Sequence, residues 1–302
     1  VTSVIDSITI NWNLADETLA CVQSLLDAGA QSGRIWVVDN GSQDDSVARL
    51  EAAFGDRIRL LAEPENLGFA GGNNRAIQAA LAEEGDNRAE WLLLINNDTV
   101  VAPDFFDRLE EAIQAHADVR ILAPLILYYD EPARIWSLGD RRLGGTLITR
   151  SLLRDEVIPD DLPPFVGVDF LNMCALLIHR SVFERIGLLD EAYFMYAEDA
   201  DFCLRASRAG FRLGCATQAR IWHKVSRSTG VYDPRARSWR TRNQIRFYRQ
   251  HAAGLHRLLL WGFTVLRLGL LTARDLVHGR WRLVPVTWKA WWSGWFGADR
   301  HS

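Results

Sequence analysis

Asn96, Asn97 and Asp98 follow directly on the apolar run Trp91–Ile95. An apolar run with no alternation reads as a strand buried on both faces of a largely parallel sheet, and open α/β sheets place their ligands beyond the carboxyl ends of such strands. The three side chains offer oxygen donors of the kind that Mg²⁺ or Mn²⁺ prefers, and one carboxylate shared with bound phosphates is a common way of holding such an ion. By spacing alone the same residues also serve as turn and helix-cap residues.

A second acidic group lies in Phe194-Met-Tyr-Ala-Glu198-Asp199-Ala-Asp201-Phe-Cys-Leu-Arg205. Three carboxylates at a helix N-terminus complement the free N–H groups and the helix dipole there. A carboxylate so placed beside a cleft can also act as a general base toward a hydroxyl within hydrogen-bond reach. Both readings apply to Glu198 and Asp199, whereas Asp201 is expected to be structural.

The elements that must carry these groups alternate in the manner of βαβ units. Strands are expected at 7–12, 35–39, 58–62, up to Ile95, and at 120–127. Helices are expected at 17–27, 46–54, 73–83 after a Gly-rich loop, and near 103–116. Between 135 and 164 the pattern breaks into short β segments. Strands at 168–172 and 175–179 follow, then a short helix from Ser181 and a helix over 198–209 ended by Gly210.

The chain has 302 residues, 48% of them hydrophobic, enough for a large buried core. A formal net charge of −4 argues against nucleic acid as a partner. The four cysteines are scattered without a zinc-like spacing, which fits a reducing compartment, and no secretory signal pattern opens the sequence. The expected location is cytoplasmic, at the inner face of the cell membrane. No G-x-G-x-x-G follows the first strand, where Asn11-Trp12-Asn13-Leu14 stands, so a dinucleotide-dependent oxidoreductase is disfavoured.

Taken in order, Val37-Val-Asp39-Asn-Gly-Ser42-x-Asp44, Asn66-Leu-Gly-Phe-Ala-Gly-Gly-Asn73-Asn74, Leu94-Ile-Asn-Asn-Asp98, Glu198-Asp199 and Trp222-His223 resemble the motifs of a family 2 glycosyltransferase. Within that family the bacterial rhamnosyltransferase and galactofuranosyltransferase-like branch is most similar. The resemblance covers roughly residues 5–250. It implies an α/β GT-A fold with a mostly parallel central sheet, an inverting reaction, and a nucleotide-diphosphate sugar as donor, dTDP-L-rhamnose foremost or a UDP sugar. Implied acceptors are a hydroxyl of a cell-surface polysaccharide or a lipid-linked glycan.

By the same resemblance Asp199 is the catalytic base with Glu198 beside it. Asp39 reads the base through a ring N–H, as an acceptor facing a donor. Asn11, Asn66, Gly68, Phe69, Gly71, Gly72, Asn73, Asn97 and Arg242 complete the donor site, with the glycines allowing close approach and arginines of Trp239-Arg-Thr-Arg-Asn243 clamping the diphosphate. Asp98 and His223 are the implied metal ligands. Asn96 stands where the family has the first acid of Asp-x-Asp, so the cation, Mg²⁺ or Mn²⁺, is expected to bind loosely or to need the donor diphosphate. Asp39, Asp98 and Asp199 are expected to line a single pocket.

Residues 251–302 form a separate basic tail, with seven Lys/Arg against two Asp/Glu from Leu255 onward and six of the chain's twelve tryptophans. Leu258–Leu271, fourteen residues interrupted by Arg267, is too short an apolar run to cross a bilayer. Arg257, Thr264, Arg267, Arg274 and His278 form a narrow polar stripe on a helical wheel. Amphipathic rings beside basic residues suit a segment lying at the headgroup level of a membrane; packing on the catalytic domain or in a homodimer is the alternative. Two other functions compete: a sugar nucleotidyltransferase, whose N-terminal signature Val4–Leu14 lacks, and a non-catalytic assembly subunit of the same fold.

Overall fold

The computed structural model describes residues 3–85, 88–225 and 233–297. In the first half, strands β1 (Ile5–Asn11), β2 (Ile35–Asn40), β3 (Ile58–Glu63) and β4 (Trp91–Ile95) alternate with helices α1 (Ala15–Asp27), α2 (Ser46–Phe54) and α3 (Gly68–Ala82). Then come β5 (Thr99–Val101), α4 (Phe105–Ala115), β6 (Val119–Tyr128), β7 (Ile135–Ser137), β8 (Asp140–Arg142), β9 (Thr149–Ser151), β10 (Phe165–Val168) and β11 (Ala175–His179). Helix α5 (Arg180–Ile186), α6 (Glu198–Arg208), β12 (Arg212–His223), α7 (Pro234–His251), α8 (Gly254–Val277) and α9 (Leu283–Phe296) complete the chain.

The main sheet runs β10-β12-β6-β11-β4-β1-β2-β3, with β5 on β12 and β7 on β6. Pairings among β4, β1, β2 and β3 are parallel, as βαβ crossovers require. β11 enters antiparallel between β4 and β6, which makes the sheet mixed beyond its first half. Every side chain of β2 and β4 is buried. Alternate residues feed two cores: Trp36, Val38, Leu92 and Leu94 on one face, and Ile35, Val37, Leu93 and Ile95 on the other.

Two elements differ from the sequence expectation in ways that matter for the site. The Gly-rich string is no loop but the first turns of α3, which begins at Gly68. Only Gly68 takes a positive φ, while a Cβ on Gly72 would stand 3.1 Å from Ile10 Cδ1, so Gly72 lets the helix lie close on the sheet. The strand expected at 168–172 ends at Val168, and 12-residue β12 was not anticipated.

The tail is a helical layer. α9 packs against α7 and α8, with Gly294 against Ile245 and the Arg242 carbonyl. α8 runs for 24 residues, well past the fourteen-residue apolar run, and by length and composition is long and apolar enough to cross a membrane. The run Leu258–Leu271 is only the middle of the helix, which continues through Gly254–Arg257 before it and Thr272–Val277 after it.

Candidate active site

The strand order β3-β2-β1-β4 reverses between β1 and β4, and the crevice at their carboxyl ends is where such sheets bind ligands. A hydrogen-bond chain crosses it. Asn97 Nδ2 donates to Thr18 Oγ1 (2.9 Å), Thr18 Oγ1 to Asn11 Oδ1 (2.7 Å), and Asn11 Nδ2 to Asp39 Oδ2 (2.8 Å). Ser42 N closes the chain on Asp39 Oδ1 at 3.0 Å. Thr18, which sequence reasoning missed, is a fully buried hydroxyl on the apolar face of α1 between Ala15 and Cys21. A polar residue on that face was the available signal.

Beside this chain lies a cavity of about 580 Å³. Of the motif residues Asn66, Gly68, Phe69 and Asn73 line one wall of it, and Trp12 and Asn40, which sequence reasoning did not single out, join them. Asn96, Asn97, Asp98 and His223 line another wall, and Glu198 with Asp199 a third. Asp98 and Asp199 therefore share one pocket. Asp39 and Asn11 do not line it: both are buried and bonded to each other, so they position the turn at Ser42. Gly71 and Gly72 are also absent from the lining, because they face Leu67 and the Ile10–Asn40 side of the sheet.

β5 pairs with β12 so that Thr99 opposes His223, which brings His223 Nε2 to 3.2 Å from Asp98 Oδ1. The His223 ring stands edge-on to Trp136, and its Nδ1 is buried without a hydrogen-bond partner among the described residues. Asp98, His223 and Asn96 fit a divalent cation as a partial donor set, one carboxylate with imidazole and amide, which bound phosphates would complete. Among the described residues no group of three or more His, Cys, Asp or Glu could hold a metal by itself.

Glu198 and Asp199 open α6 after a segment in which Phe194, Tyr196 and Ala197 all have positive φ (57°, 70° and 75°). Non-glycine residues there cost of order 1–3 kcal/mol each and persist only where the surroundings hold them. Two contacts do so. Phe194 O accepts from Phe69 N at 2.6 Å, with Gly68 so close that a Cβ would lie 2.5 Å from the Phe194 ring. Asn243 Nδ2, on α7, reaches the carbonyls of Tyr193, Met195 (2.8 Å) and Tyr196 (3.2 Å).

Burial, and then the charge of Asp199, pushes the Glu198 carboxyl up to about 8, and Glu198 Oε2 has no hydrogen-bond partner among the described residues. Asp199 is pushed up to about 6 by burial, with the Asp140 carboxylate adding to the effect and the bond from Ala200 N opposing it. One proton is thus held in the pair near neutrality, with Asp199 the readier to ionise. Asp201 is buried and bonded to Arg205 and His251, so it ties α6 to α7.

Arg242 does not line the cavity. Its Nε donates to Asn243 Oδ1, and it lies half-buried on the opposite side of α7 from Arg240. Two residues correspond to about 200° of helical rotation, so Arg240 and Arg242 cannot both face the site. Arg240 does face it, stacked over Tyr196 at 4.5 Å and donating to the Tyr196 hydroxyl, and Arg154 joins it there. A second cavity, of about 570 Å³, meets the first at Asp199, Asn172, Arg154 and Arg240.

The sequence model described as "Glycosyl transferase family 2" matches residues 7–186. The chain is similar to the N-acetylglucosaminyl-diphospho-decaprenol L-rhamnosyltransferase of Mycobacterium tuberculosis H37Rv, 27% identical over 248 residues, covering 76% of this chain and 79% of that protein. Rhamnosyltransferase WbbL of Escherichia coli K12 is 25% identical over 185 residues, 60% of this chain and 69% of its own length. Among solved structures, the mannosyltransferase of Pyrobaculum calidifontis in complex with GDP-Man and Mn²⁺ aligns with a TM-score of 0.59 at 12% identity, covering 98% of this chain and 88% of that one. GalNAc-T7 with UDP, GalNAc and Mn²⁺ aligns with a TM-score of 0.56 at 14% identity over 81% of this chain, which spans about half (47%) of that chain's length. Both structural likenesses establish the GT-A fold. With the family match covering more than half of its length, this chain belongs to glycosyl transferase family 2 and is a glycosyltransferase.

Proposed function

We propose that this glycosyltransferase moves L-rhamnose from dTDP-rhamnose, with inversion, to a hydroxyl of a lipid-linked glycan at a membrane surface. The observation that carries the reading is that Asp199 lines both cavities and shares the first with Asp98 and His223. The donor fills the cavity beside Asn40, Asn66 and Asn73, with Trp12 offering an aromatic face for a base. Asp199 takes the acceptor proton as the hydroxyl attacks the anomeric carbon from the second cavity. Arg154 and Arg240 face the charge that develops on the leaving diphosphate. A divalent cation held by Asp98, His223 and Asn96 would, when bound, neutralise part of that charge. The Mn²⁺ of the two solved relatives supports its use, and the names of the two sequence relatives support rhamnose and, in the mycobacterial case, a lipid-linked acceptor.

The tail supports the membrane. Thr264 and Asp275 of α8 point inward: Thr264 Oγ1 accepts from the Trp291 and Trp295 indoles at 3.1 Å each, and Asp275 pairs with Arg237. Leu258, Leu259, Leu266 and Leu270, with Trp288 and Trp292 of α9, stay exposed. Leu260 and Leu268 are buried beside Thr264 and Asp275, so α8 is apolar on its outward side as well as on part of its inward side, unlike a surface helix in water. Arg257, Arg274, Arg282 and Lys289 flank the apolar face, which favours anionic headgroups over a second protein copy.

Thermal stabilisation by dTDP, UDP and GDP, with and without Mn²⁺, tests the donor. dTDP with Mn²⁺ is expected to raise the melting temperature most, and a preference for GDP would overturn the rhamnose assignment. Hydrolysis of the donor by the wild type but not by Asp199→Asn tests the role of the base.

A further inference from the structure

Helix α8 does more than face outward: it supplies Phe263 and Arg267 to the wall of the second cavity, which Asp199 also lines. The same helix carries the exposed leucines Leu259, Leu266 and Leu270. One element therefore joins an apolar surface to the interior of a polar cleft.

The cleft is chemically divided. Asp140 and Asp199 provide carboxylates near one another, close enough for the Asp140 charge to act on Asp199. Asp140 Oδ2 accepts from Thr149 Oγ1 at 3.2 Å, and such carboxylates are suited to receive sugar hydroxyls. Arg267 belongs to the second cavity alone and pairs with no carboxylate among the described residues. Its Nη1 donates to Gln244 Oε1, and Gln244 Nε2 donates on to the Tyr248 hydroxyl, which leaves the remaining guanidinium N–H groups for a ligand. A guanidinium anchored by a neutral amide, between apolar helix surface and a cleft for sugar, matches a molecule with three parts: a lipid, an anionic linker and a sugar.

We infer that the second cavity is an acceptor subsite for a sugar joined to a lipid through a phosphate-type linker, with Arg267 binding the linker, Asp140 the sugar hydroxyls, and the outer face of α8 the lipid. This rests on the membrane-surface reading above and extends it to the residue that selects a charged carrier over a neutral glycolipid. Arg154 and Arg240, at the junction with the first cavity, stay with the donor diphosphate. Two anion subsites then lie on either side of Asp199.

The test is direct binding of geranyl diphosphate, which carries lipid and linker but no sugar, to the full chain saturated with the nucleoside diphosphate that stabilises it best. Binding that survives saturation is expected, since the two anions occupy different cavities. Arg267→Glu is expected to weaken it at least about tenfold, with Arg267→Lys in between, while the affinity for the nucleotide stays unchanged. Equal melting temperatures of the variants would show that the fold is intact. Competition by the nucleotide, equal binding by Arg267→Glu, or no binding by the wild type would each overturn the inference. If UDP or GDP proves to be the stabilising nucleotide, the dTDP reading fails while this experiment proceeds with that nucleotide.

Discussion

The side-chain amide of Asn243 donates to the carbonyl of Met195 at 2.8 Å, from 48 residues away in the chain. The same nitrogen serves Tyr193 and Tyr196, so one buried group on α7 holds the turn from which Glu198 and Asp199 project. Asn243→Ala removes the donor from three carbonyls and should cost about 1–3 kcal/mol of stability. It should also lower turnover at least about tenfold with little change in nucleotide affinity. Urea unfolding and steady-state kinetics check the two effects, and an unchanged turnover would remove Asn243 from the positioning role.

The raised carboxyls of Glu198 and Asp199 fix a pH dependence. Transfer should rise with pH through about 6 as Asp199 ionises, and Asp199→Asn should lose about 10²–10⁴-fold in rate. Stability should move the other way. A carboxyl raised from 4.5 to about 8 keeps its proton longer in the folded than in the unfolded chain, so between those values the folded state loses stability as pH rises. Glu198→Gln should therefore melt a few degrees higher than the wild type at pH 8 and equally at pH 4. Melting curves across that range decide it.

Asn96 leaves the cation site with one carboxylate. Asn96→Asp should tighten Mn²⁺ binding by about tenfold, because a second negative charge joins Asp98. Asp98→Ala should abolish the extra stabilisation that Mn²⁺ gives to nucleotide binding. Both are read by titrating Mn²⁺ into chelator-treated protein at fixed nucleotide; an Asn96→Asp variant with unchanged metal response would separate this residue from the ion.

Thr264 accepts from two buried indoles, so Thr264→Val leaves both N–H groups without a partner in a space of the same shape. A loss of about 1–3 kcal/mol is expected, visible as a lower melting temperature and looser α9 packing. Thr264→Ser, which keeps the oxygen, should recover most of it.

The outward face of α8 and α9 should bind anionic vesicles in proportion to its apolar area. Leu266→Glu with Trp292→Glu is expected to abolish co-sedimentation with phosphatidylglycerol vesicles without lowering the melting temperature, since both side chains are exposed. Wild-type protein that stays in the supernatant at low salt would argue instead for a protein partner.

By itself the sequence determined the alternating elements of the first half, because apolar runs and helical periods record which side chains must be buried. Helix α2 falls at 46–54 and β11 at 175–179 as read. It also placed Asn96–Asp98 after a buried strand and Glu198–Asp199 at a helix start, since element ends carry local signals. Only the tertiary structure decided which of these groups meet. His223 reaches Asp98 through β12, a strand whose Gly214, Thr217, Gln218 and Arg220 blur the apolar pattern and whose register shifts between Ala216 and Arg220. Asp39 turns from the cavity because Asn11 and Ser42 engage its oxygens, and Arg240 rather than Arg242 faces the site because α7 presents one side only. Local pattern states how often a chain must bury a residue; which partner answers a carboxylate or a guanidinium depends on groups brought together from distant parts of the chain.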